Sequence, residues 1–284
     1  MKTTVRKTKA RTRRILRERI SFTGKLLLGL FFCSPLIICL LFSFQPNSEV
    51  STAPLKLITT DPTIENYAEV FLHTEMGHYL LNTLFMCVVC IFFHLLFASF
   101  CAYAFVFFDF KLKSFFFTLI QVHMMIPGEV VIIQNYVTIQ NWNLVDTYLA
   151  LVITGLVSAG SIFMMRQYYR TLPRELKEAA TLDGCSDAGF LFRIAMPLSV
   201  PIMCSLAIDG FIHTYNAYFW PLLITTTDKM RTVQIGMASL MGGDSMNYGV
   251  VLAGAVLCML LPVLAFVIGQ DYLIKGMTAG AVKS

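Results

Sequence analysis

The chain has 284 residues, 56% of them hydrophobic and 14% charged, with a mean hydropathy of +0.68 and a formal net charge of +5. That much apolar surface has no aqueous home, which excludes an ordinary soluble domain and points to an integral membrane protein. The positive excess is concentrated in the first 25 residues, so it suits a lipid-facing arm and argues against nucleic-acid binding.

Runs with little or no charge, each long enough for a bilayer that needs about 20 helical residues, occur at 26–44, 79–108, 115–139, 147–165, 198–227 and 249–270. The expected fold is therefore all-α and polytopic, with six transmembrane helices. Of the 22 Lys and Arg, 19 fall in residues 1–25, the 109–113 turn, the 166–193 loop and the tail from Asp271 onward. Basic residues collect in short cytoplasmic segments, which places both termini and that loop in the cytoplasm. The expected organisation is a cytoplasmic basic arm over 1–25, a transmembrane domain over 26–272 that includes a cytoplasmic loop at 166–197, and a cytoplasmic tail over 273–284.

In chain order, the first span carries Pro35, a kink signal, and is too long for a cleaved secretory leader. Residues 45–78 form an outside loop with Glu49, Asp61, Glu65, Glu69 and Glu75 against Lys56 alone. Pro127-Gly128 breaks the third span, and Glu129 follows, an ionisable group near membrane depth. After the Asn141-Trp142-Asn143 turn, Gly155 and Gly160 in the fourth span permit close helix packing.

Residues 173–201 are the long polar segment of the apolar region. Pro173 suits a first helical turn, Glu175 and Glu178 favour the positive end of the helix dipole, and Gly184 supplies a terminator. Ser186 is positioned to cap a second helix through Phe190, Leu191 and Ile194 that Pro197 bends or ends. The expected product is a short helix, a turn and a second short helix, with Leu176, Ala179 and Ala180 as an apolar ridge and Glu175, Lys177 and Asp183 as a polar rim. Such a knob fits a partner protein.

In the fifth span, Asp209, His213, Asn216 and Trp220 recur at i, i+4, i+7 and i+11 and so share one helical face, which must look toward protein or water. Interhelical bonding and a translocation path both satisfy that requirement. Asn and aromatic side chains suit sugar hydroxyls and ring faces. The sixth span holds Pro262. Of eight cysteines, all but Cys185 lie in expected spans, and Cys87 and Cys90 lack a second ligand pair, so no zinc site, redox site or disulfide framework is implied. The sequence holds no catalytic constellation, no metal-ligand cluster and no G-x-x-x-x-G-K-[ST] phosphate loop, so neither a cofactor nor an ATP site is expected in this chain.

Glu178-Ala179-Ala180, Gly184, Ile194 and Pro197, at their spacings, resemble the EAA loop of the membrane subunits of bacterial ABC importers, with Met196 where the family usually has Leu. Asn66-Tyr67, Leu81-Asn82-Thr83, Tyr103-Ala104-Phe105, Met125-Ile126-Pro127, Asn216 with Trp220-Pro221, and Gly276 to Lys283 are similar to the carbohydrate-uptake permeases of the maltose type, with Tyr215 where Trp is frequent. The resemblance implies a type I importer permease fold in a bacterial inner membrane. It implies ATPase coupling through Glu178, Ala179, Ala180, Asp183 and Gly184, and a translocation path that includes Asp209, His213, Asn216 and Trp220. It also implies a second homologous permease subunit, two ATP-binding ATPase subunits and an extracytoplasmic solute-binding protein, with a sugar, an oligosaccharide or glycerol phosphate as cargo. A stand-alone ion-coupled transporter using Glu129 and Asp209 is the rival reading; it predicts inverted repeats, and none is evident.

Overall fold

The computed structural model describes the backbone of residues 2–51, 56–242 and 247–281, with side chains at Arg19 and from 21 to 270 within those stretches. Among the described residues the chain is helical, without strands: α1 Lys2–Ser43, α2 Asn47–Val50, α3 Glu65–His73, α4 Met76–Phe107, α5 Lys113–Met124, α6 Gly128–Asn141, α7 Tyr148–Ile153 and α8 Ala159–Tyr169. There follow α9 Arg174–Leu182, α10 Asp187–Phe190, a π-helical segment Leu191–Ala195, α11 Met196–Leu198, α12 Val200–Tyr215, α13 Phe219–Ile224, a 3-10 turn Asp228–Met230, α14 Val233–Leu240 and α15 Tyr248–Ala281.

Among the described residues, three stretches are long and apolar enough to cross a membrane: Ser21–Ser43 of α1, α4, and Tyr248–Gln270 of α15. Two further candidates are bent, α5 and α6 by 98° and Asp187–Leu198 with α12 by 76°. The first bend follows from Pro127, which supplies no amide to continue the ladder. Residues 147–165, expected as one straight span, form two short helices, α7 and α8, with 154–158 between them. Gly155 sits in that break, where a Cβ would lie 3.0 Å from Cys90 Sγ, so a bare backbone is needed for the break to approach α4. At Gly160 a Cβ would meet Ser158 Oγ at 3.8 Å and nothing nearer, so no other helix of this chain packs closely on it. The basic arm and first span are one helix that continues through Pro35.

The chain divides into two compact units, Met1–Val70 with Ser245–Val256, and Phe71–Asp244 with Leu257–Ser284. In the first, buried Asn66 staples the end of α1: its Nδ2 donates to the carbonyls of Ser43 at 2.9 Å and Gln45 at 2.8 Å. Ser43 Oγ and Tyr67 OH lie 2.7 Å apart, and Asn247 Nδ2 donates to Glu69 at 3.1 Å. The two Asn66 bonds close backbone carbonyls at and just past the helix end.

The second unit is built on α4, which packs chiefly against α8 and α12. Ala98, Ser99 and Ala102 are fully buried on α4, and small residues let helix backbones approach. Near the other end of α4, buried Asn82 donates to the carbonyls of Lys229 at 2.7 Å and Arg231 at 2.9 Å and accepts from Tyr148 OH at 3.1 Å. Thr83 Oγ1 accepts the Val233 amide at 2.9 Å. Asp146, at φ 64°, holds the loop at 226–227: its carboxylate accepts the amides of Thr226 at 2.8 Å and Thr227 at 3.1 Å and the Thr227 hydroxyl at 2.8 Å.

Candidate functional site

The knob at 173–199 is built from local rules. Pro173, in extended conformation, leads into α9, with Glu175 in its first turn. At its far end the Gly184 amide donates to Thr181 O at 3.0 Å and the Cys185 amide to Ala180 O at 2.9 Å, the crossed pair of a Schellman turn. That turn requires a left-handed residue, and Gly184 supplies it at φ +75°. Ser186 then caps α10, its Oγ accepting the Gly189 amide at 3.1 Å. Pro197 has no amide for the Arg193 carbonyl, and the helix widens to a π turn over Leu191–Ala195 before it bends at Ser199.

The anchor of the knob is apolar. Ala180, 7% exposed, and Phe190, 1% exposed, sit in one cluster with Ala98, Ala102 and Tyr103 of α4 and with Met165 and Tyr169 of α8. Glu178, Ala179, Asp183 and Gly184 are exposed. The outward ridge therefore differs from the expected one: Ala180 turns inward, and Leu176, Ala179 and Leu182 face out, Leu182 at 89% exposure. Leu182 was legible as the residue three beyond Ala179, on the same face.

Lys177 leaves the expected rim as well. It is i−3 to Ala180 on the inward face, its ammonium paired with Asp187 Oδ1 and 4.9 Å from the Phe190 ring centroid. Tyr103 OH donates to the same Asp187 oxygen at 3.1 Å. The Lys177 and Tyr103 hydrogen bonds hold the Asp187 carboxyl below its ordinary value. Partial burial pulls the Lys177 pKa down, but the Asp187 bond outweighs it and leaves it raised.

The second candidate group is split. Asp209 and His213 are exposed along α12 and Asn216 is exposed just past its end, its side chain closing back on Ile212 O at 2.8 Å. The helix ends at Tyr215, so Trp220 does not continue that face as expected from unbroken periodicity. Trp220 lies in α13, donates from Nε1 to Ala150 O at 3.0 Å and packs against the cluster of Met86, Ile139 and Leu151. Tyr215 turns inward, its hydroxyl donating to Cys258 O at 2.6 Å. Glu129 is exposed in the first turn of α6. The side chains of the tail expected over 273–284 lie outside the described residues.

Residues 94–279, which include the knob, α12 and α13, match the family model described as "Binding-protein-dependent transport system inner membrane component". The chain belongs to this family. Like the other inner membrane components of binding-protein-dependent transport, it is a multi-pass permease subunit rather than an enzyme. It is 35% identical over 255 residues to the arabinooligosaccharides transport system permease protein AraQ of Halalkalibacterium halodurans, covering 88% of this chain and 90% of the relative. It is 32% identical over 251 residues to the sn-glycerol-3-phosphate transport system permease protein UgpE of Pectobacterium atrosepticum, covering 86% and 89%. A bacterial ABC transporter involved in the import of the acidic polysaccharide alginate shares the fold, with TM-score 0.77 at 21% identity over 90% of this chain and 96% of the other.

Proposed function

We propose that this permease subunit spans the membrane six times with both termini in the cytoplasm: the three straight stretches, the bent pair α5–α6, the broken pair α7–α8, and residues 198–227 around α12 and α13, which leaves 187–197 to the cytoplasmic knob. It pairs with a second permease subunit, stands on two ATPase subunits and receives its cargo from a solute-binding protein. The knob is the docking joint. The observation that carries this reading is the exposed ridge of Leu176, Ala179 and Leu182 on a helix whose opposite face is locked into the core. An ATPase that closes on nucleotide would push α9, and the knob would pass that push on to the spans, so that they rock between two arrangements.

The cargo is a sugar or oligosaccharide. Glycerol phosphate is the second reading, favoured by the UgpE relatives; a phosphate calls for Arg or Lys, and α12 carries Asp209 and His213 with no Arg or Lys from Val200 to Tyr215. Family membership displaces the stand-alone ion-coupled reading of Glu129 and Asp209. The test is Ala179→Asp in the assembled transporter. A charge on the ridge should leave the subunit inserted while the ATPase that co-purifies with it falls severalfold. Unchanged retention and unchanged solute-stimulated hydrolysis would refute the docking role.

A further inference from the structure

Lys177, Asp187 and Tyr103 meet at one point. They belong to three different elements, α9, α10 and α4. Between Leu182 and Asp187 the backbone link from α9 to α10 is a tight turn through an exposed glycine, a connection that by itself permits rotation. The ion pair bridges that turn, and the Tyr103 hydroxyl extends it to α4. Lys177 also lies over the rings of Phe190 at 4.9 Å and Tyr103 at 5.7 Å, so the cation is held from two directions. Beneath it, the Tyr103 and Phe190 rings meet at a 34° tilt with centroids 6.1 Å apart, and Phe190 and Phe107 meet edge to face at 5.3 Å. The Lys177 side chain is 20% exposed, and none of this lies on the outward ridge.

We infer that the Lys177–Asp187–Tyr103 clasp is a positioning device for transport: it makes α9, the α10–α11 arm and the end of α4 move as one lever, separately from docking. This rests on the docking reading above. Without the clasp, a push on α9 is absorbed at Gly184. With it, the push reaches the π segment and the bend at Ser199, where α12 begins. Docking through Leu176, Ala179 and Leu182 is untouched by its loss.

The test is hydrogen exchange on the assembled transporter, purified with its ATPase, with and without ATP plus vanadate. In the unmodified protein, nucleotide should change exchange in peptides covering 174–182, 187–199 and 97–107. Lys177→Met and Asp187→Asn should keep the change in 174–182 and lose it in the other two, with the same amount of ATPase bound; Lys177→Arg should restore all three. The inference is overturned if Lys177→Met transmits the full change, or if it sheds the ATPase. A different result, no nucleotide effect on 174–182 in the unmodified complex, would defeat the docking reading and this inference with it.

Discussion

Gly184 offers a graded test of the knob. A Cβ at this position meets nothing within 4 Å, so any penalty for a side chain comes from the backbone at φ +75° and not from a collision. The left-handed conformation costs an ordinary residue about 1–2 kcal/mol, less for Asn and more for a β-branched one. At about 1.4 kcal/mol per factor of ten, the turn should open roughly 5–30 times more often in Gly184→Ala, less in Gly184→Asn and most in Gly184→Val. Two amides report it directly, those of residues 184 and 185, which donate to Thr181 O and Ala180 O. Their exchange should accelerate in the order Asn, Ala, Val, and solute-stimulated ATP hydrolysis should fall in the same order. Equal exchange across the series, or Asn worse than Val, would refute the backbone argument.

Other substitutions probe the remaining parts. Asn216→Leu removes an exposed polar group just past the end of α12 and should reduce solute uptake while basal ATP hydrolysis is kept; equal uptake would assign Asn216 to helix capping alone. Asn82→Leu removes three part-buried hydrogen bonds and should lower stability by about 3 kcal/mol, against about 1 kcal/mol for Tyr148→Phe, which removes one of those bonds; thermal unfolding in detergent compares them. For Asp146, burial pushes its pKa up, but the Thr226 and Thr227 bonds outweigh this and hold it below the usual carboxylate value. Its contribution is therefore present above the unfolded carboxylate pKa, about 3.9, and is lost as pH falls through the lower folded value. Asp146→Asn should destabilise the protein at pH 7 and converge with the parent in strong acid, measured by unfolding across pH.

Much of this was legible from the chain. The Glu178–Gly184 spacing, the Ser186 cap and the Pro127 break act through local backbone chemistry, and each leaves a residue-level signature. Which way Ala180 and Lys177 point was not legible, because both suit either face of α9 until α4 and α8 are packed against it. Trp220 misled because periodicity assumes an unbroken helix, and the helix stops at Tyr215, whose hydroxyl reaches Cys258 O far along the chain. Asn66 and Asn82 were visible as motif residues, but their work as backbone staples depends on carbonyls 21 to 149 positions away. The split of the fourth span came from a glycine whose neighbour, Cys90, lies on another helix.

A photo-crosslinking side chain at Leu182, the most exposed apolar group of the ridge, tests the docking joint most directly in cells that co-express the neighbouring ATPase. The account predicts a crosslink from 182 to the subunit that carries the phosphate loop, lost when Ala179→Asp is added. An ATPase that stays bound while position 182 reacts only with lipid or with this chain itself would contradict it.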